Sequence, residues 1–269
     1  MNNALYWQMV KSKISIFGAF AIGSSLYVLL MGSIYPTIAD NTEDLNRLLE
    51  IFPEALLNFI GLEALTNFDQ FLSAEYYGLF FLFIAGAFSV WMGVQSLATL
   101  VDRGSMAYLL STRVSRGQIA GTQALVLLTG LFLFLAFNFL AGYLAGQWFM
   151  EDANSLDVSS FLSINVGGFL LFFAISGYAF LISAVMNDER RALGVAGGLT
   201  FLFYALDVAG RLAPDMEWLR HLSLFSLYRP AELASTTGDF WGPFLILTAI
   251  GVALFAGAIS IFRHRNLPL

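Results

Sequence analysis

Two places in this 269-residue chain carry side chains whose type and spacing could do chemistry. One is Asp207, the only ionisable residue well inside a long apolar run, with Arg211 one helical turn further on. A carboxylate in such a run serves transport by coupling to an ion, or it pairs locally. The arginine at i+4 favours a local pair of about 0–1 kcal/mol near the interface. The other is the polar and basic island from Asp102 to Arg116, set between the apolar runs 77–101 and 119–146. Within it Met106, Leu109, Leu110 and Val114 recur at helical spacing, while Ser105, Ser111, Ser115 and the arginines fall largely elsewhere. That pattern predicts a small amphipathic helix lying against the membrane, able to bind lipid headgroups or to dock a partner.

Other chemistry is poorly supplied. The chain has no cysteine, and its two histidines, His221 and His264, fall on opposite sides of the membrane in the topology below, so neither a metal site nor a catalytic residue is expected. No phosphate-binding loop of the GxxxxGK type occurs, so ATP is not expected to bind this chain. An ion-coupled carrier usually needs several buried ionisable groups, and Asp207 is a single one.

The elements that must position these residues are membrane helices. With 58% hydrophobic and only 12% charged residues, the chain reads as an all-α polytopic membrane protein in one domain spanning 1–269. Six spans are predicted at roughly 14–35, 77–101, 119–146, 160–186, 192–210 and 242–262. The stretch before the first span mixes Trp7, Tyr6, Lys11 and Lys13, as suits a headgroup layer or a plain basic flank. The loop 36–75 should hold amphipathic helices on either side of Pro53, built on Leu45, Leu48, Leu49 and Phe52, then Leu56, Leu57 and Ile60. A second amphipathic stretch, 212–241, should place Trp218, Leu222 and Phe225 on one face with Arg220, His221 and Tyr228 nearby. Gly142 and Gly146, and Gly194 and Gly198, have the spacing that lets helices approach closely.

Six spans put both termini on one side. That side carries nine Lys and Arg against four on the other, so it is expected to be the cytoplasm and the acidic loops to be outside. The acidic balance therefore reflects outer loops and implies no nucleic-acid partner.

The island also resembles a known pattern. Permease subunits of type 2 ABC exporters carry, between their second and third spans, an acidic residue, Gly-Thr or Gly-Ser, and then a Leu-Leu-Ser/Thr-x-Pro-Val/Ile-Ser/Thr-Arg run. The matching residues are Asp102, Gly104, Ser105, Leu109, Leu110, Ser111, Val114, Ser115 and Arg116, with Arg113 where the family usually has proline. The membrane-dipping stretch before the last span and the ending Phe262-Arg263-His264-Arg265-Asn266 follow the same order. The resemblance implies a coupling helix that docks a separate ATPase, two such ABC ATPase subunits binding ATP and Mg, and a second permease forming a homo- or heterodimer. It implies export across a bacterial or archaeal plasma membrane, with ATP hydrolysed by the complex and not by this chain. The substrate path is expected at the dimer interface near the aromatic faces of spans two and five, including Phe88, Phe201 and Tyr204. An ATP-independent channel or carrier, or a non-transporting assembly or sensor module, stand as the competing classes.

Overall fold

The computed structural model describes residues 3–40, 68–111, 114–150, 156–235 and 240–266. The described chain is helical, and six of its helices are long and apolar enough to cross a membrane. These are α1 (Asn3–Asp40), α2 (Phe68–Asp102), α4 (Arg116–Phe149), α5 (Val158–Val185), α6 (Glu189–Leu212) and α8 (Trp241–His264). Between them lie the short helices α3 (Ser105–Leu110) and α7 (Pro230–Ala234), with a 3-10 turn at Pro214–Leu222. The six expected spans are all present, within a few residues except at the start of the first two.

Helix α1 begins at Asn3 rather than near 14, so the predicted flank is part of the helix and Lys11 and Lys13 ride on it. At 1.5 Å per residue its 38 residues reach roughly 57 Å, well beyond the hydrocarbon core. Its first turns pack on α4, where the Tyr6 and Thr129 hydroxyls lie 2.8 Å apart. Helix α2 begins at Phe68 rather than at 77, and its two tyrosines find partners inside the bundle. Tyr76 Oη donates to Asn138 Oδ1 at 2.5 Å, Ser24 Oγ donates to the same oxygen at 2.8 Å, and Tyr77 Oη donates to Asn165 Oδ1 at 3.0 Å. The segment Ser73–Phe80 is a π-helix, whose wider turn lets the adjacent Tyr76 and Tyr77 both face inward. The amphipathic segments expected around Pro53 lie outside the described residues.

Helix α5 is the most enclosed of the six, and α1, α6 and α8 turn most of their surface outward. The polar residue Asp157 caps α5: its carboxylate accepts from the Ser160 hydroxyl at 2.6 Å and from Ser159 N–H at 3.1 Å. Those bonds, the Ser160 hydroxyl first, hold its carboxyl below the usual aspartate range. Gly142 and Gly146 do admit close packing, receiving Phe161 and Leu156. Gly194 and Gly198 have no such neighbour among the described residues.

The chain passes into and out of the 3-10 turn Pro214–Leu222 in a way the expected amphipathic helix does not describe. Trp218 and Leu222 are exposed whereas Phe225 is buried, so the three do not share one face. The reason is Ser223, which ends the turn: its hydroxyl donates to the Phe203 carbonyl at 2.6 Å and redirects the chain onto α6.

Helix α2 is interrupted at Ser96–Leu97, where Leu97 has φ −129° and ψ −47°. One hydroxyl replaces the lost helical bonds. Ser183 Oγ accepts from Leu97 N–H at 3.1 Å and Ala98 N–H at 2.8 Å, and donates to the Val94 carbonyl at 2.7 Å. Gly93 lets α5 come this close, since a Cβ there would lie 2.7 Å from that of Ala179. Ser183→Ala would strand two buried N–H groups and is expected to cost about 1–3 kcal/mol. Ser176→Ala, which removes a buried hydroxyl with no partner among the described residues, should be close to neutral. Unfolding in mixed micelles titrated with SDS compares the two.

Candidate functional site

Beyond the break, α2 ends at Asp102 and the chain turns through Arg103 and Gly104. Gly104 sits at φ +68°, in the left-handed region that glycine adopts without strain. Helix α3 then runs only from Ser105 to Leu110, shorter than the helical spacing through Val114 predicts. Ser115 restarts the chain with a capping box: its Oγ accepts from Gln118 N–H, and Gln118 Oε1 accepts from Ser115 N–H at 3.0 Å. Arg113 lies outside the described residues.

The expected docking residues divide in two. Met106 is fully buried, and Leu109, Leu110 and Val114 pack partly against the same core, so the apolar face of α3 is largely spent on its own bundle. Ser111 and Ser115 are exposed. Arg116 turns sideways and donates Nη1 to the Arg265 carbonyl at 2.5 Å. Asp102 Oδ2 accepts from Glu189 N–H at 3.3 Å, and Arg103 pairs with the Glu189 carboxylate at 3.4 Å, which ties the island to the start of α6. The residue the sequence pattern hides is Tyr108, 81% exposed at the tip of α3. Its place opposite Met106 is fixed by the capping and break geometry, which hydrophobic spacing does not report.

A groove runs between α2 and α6. Its apolar part, about 370 Å³, is lined by Phe83, Gly86, Val90 and Trp91 of α2 and by Leu193, Gly197, Phe201 and Tyr204 of α6. Its polar part, about 470 Å³, lies at the far end and is lined by Glu75, Leu79, Asp207, Arg211, Arg220 and Arg229 among others. Leu82 and Tyr204 border both, so the two parts adjoin along one stripe of each helix. Phe201 is exposed beside the groove, and Tyr204 packs edge-on to Phe83 with centroids 5.2 Å apart. Phe88, expected with them, is fully buried on the other side of α2, against Phe17, Phe20 and Phe134.

Asp207 makes the expected pair, with Arg211 Nη2 at 2.6 Å, and also a second one with Arg220 Nε at 3.4 Å. The carboxylate is almost wholly enclosed, so the pair is not the exposed one its position near a helix end implies. Together the bonds fasten the 3-10 turn to α6. Arg229 is likewise taken, by Glu232 at 3.0 Å. Glu75, half-buried in the polar part, has no charged partner among the described residues.

Asp207→Asn leaves two guanidinium groups facing each other and is expected to lower stability by about 2–4 kcal/mol, more than an exposed pair contributes. Arg220→Gln alone, with Arg211 still in place, should stay within about 1 kcal/mol. Thermal unfolding in detergent reads both.

No curated protein matches the chain significantly. A family profile does, over residues 4–263: that of the multidrug efflux system permease Rv1217c, C-terminal domain. Covering nearly the whole chain and agreeing with six apolar helices, that match places this integral membrane protein in the family of multidrug efflux system permeases of the Rv1217c C-terminal type.

Proposed function

We propose that this permease is the membrane subunit of an ATP-driven exporter, dimeric with itself or a similar permease and carrying two ABC ATPase subunits that bind ATP and Mg. The arginine-rich end with both termini faces the cytoplasm of a prokaryotic plasma membrane. The groove between α2 and α6 is the substrate path at the permease interface, with Phe201 and Tyr204 on its wall.

One observation carries the reading: the exposed helix α3 is fastened to the two helices that border the groove. It follows α2 directly, and the turn that leads into it is held to α6 through Asp102, Arg103 and Glu189. A partner gripping α3 therefore displaces both groove walls. Nucleotide binding in that partner would bias a two-state interface through its differential contacts. The docking knob is Tyr108 with the exposed Ala107 and Ser111, and Leu109 and Leu110 serve as its footing.

Tyr108→Asp should weaken ATPase-subunit retention by roughly tenfold or more, as loss of a central interface anchor does. The bundle should keep its stability within about 0.5 kcal/mol. Leu110→Asp should instead destabilise the bundle itself. Co-purification, ATPase activity and transport in proteoliposomes measure this, and wild-type retention and transport in Tyr108→Asp would sink the coupling reading.

A further inference from the structure

A third hollow of about 630 Å³ opens at the arginine-rich end, between the start of α4 and the end of α8. Its rim holds two arginines, Arg116 and Arg263, and no acidic residue among the described residues lines it. Arg116 uses one of its five N–H donors on the Arg265 carbonyl, leaving the rest available. Arg263 has no hydrogen-bond or ionic partner among the described residues, and its methylene stem lies 3.7 Å from where a Cβ of Gly117 would be. Thr122, which also lines the hollow, is fully buried, and its hydroxyl has no partner among the described residues. Such a hydroxyl needs an acceptor or donor that the described residues do not supply. Leu125 and Ile259 form the wall that continues toward the apolar part of the helices, and Gly121 leaves open space beside them.

We propose that this hollow is a headgroup site for one anionic phospholipid. The Arg263 guanidinium, the remaining donors of Arg116 and a hydroxyl meet the phosphate, and the apolar wall below takes the start of an acyl chain. Basic pockets between the ends of membrane helices have the charge and shape for such lipids. A free anion would match the arginines but would leave the apolar wall unused. The assignment does not depend on the exporter reading.

The test is native mass spectrometry of the delipidated full chain in neutral detergent, with equal amounts of phosphatidylglycerol and phosphatidylcholine of the same acyl chains. One phosphatidylglycerol per chain should be retained, preferred by about tenfold. The double variant Arg116→Gln/Arg263→Gln should lose the preference. Gly121→Leu, which fills the hollow without touching the arginines, should lower occupancy of both lipids. Arg190→Gln/Arg191→Gln, with the same charge removed from exposed positions elsewhere, should keep the preference. The proposal is overturned if the first double variant still prefers phosphatidylglycerol, if the control loses the preference equally, or if inorganic phosphate displaces the lipid.

Discussion

The bond set at Ser183 decides how this bundle ends. Inside a membrane every backbone polar group must be satisfied by protein, so a helix can break at depth only where another helix supplies the missing partners. Ser183 supplies three, on two N–H groups and one carbonyl, and α2 can therefore bend at Ser96–Leu97 without stranding them. The bend sets where Asp102 and Arg103 emerge, and so whether they reach Glu189. Without it α3 would sit under a different part of the bundle.

The π-turn does similar work at the other end of α2. Seating Tyr76 and Tyr77 on Asn138 and Asn165 turns Glu75 and Leu79 toward the groove. The groove thus grades from aromatic and aliphatic side chains to a charged end along a single pair of helices. An amphiphilic molecule has that same grading, with its apolar body and polar head in different media. Glu75 and Glu217 are the carboxylates lining this end that no described guanidinium neutralises, because Asp207 holds Arg211 and Arg220, and Glu232 holds Arg229.

Hydropathy makes the six spans legible because a lipid-crossing helix needs its length in apolar residues, and no tertiary context changes that requirement. It misplaces the start of α2 because Asp69, Gln70, Glu75 and two tyrosines depress the local average, while inside the fold the tyrosine hydroxyls are satisfied across the bundle. The Asp207–Arg211 pair is readable because it is local in sequence, whereas Arg220 reaches Asp207 only through the path of the 3-10 turn. Helical spacing picks out Met106, Leu109 and Leu110 on α3, while Val114 lies beyond its end. What it cannot tell is whether that face meets a partner or the chain's own core, and packing decides for the core, leaving Tyr108 outward. Phe88 fails as a groove residue for the same reason: an aromatic on a membrane helix has no sequence mark for inside or outside.

The two ends of the island are held unequally, and this sets the direction in which it can yield. On the α2 side the ties to α6 are an exposed ion pair at 3.4 Å and a 3.3 Å bond to a backbone N–H, of the kind that contributes about 0–1 kcal/mol and weakens with salt. On the α4 side Arg116 grips the Arg265 carbonyl. Arg265 in turn donates to the Ala184 carbonyl at 2.7 Å and to Asn187 Oδ1 at 2.5 Å, closing the C-terminal end of α5. That chain of charge-assisted bonds links α4, α5 and α8 into the stiffer unit. A pull on α3 therefore meets least resistance on the side of α2 and α6, the groove walls, and α6 is the least enclosed of the six spans.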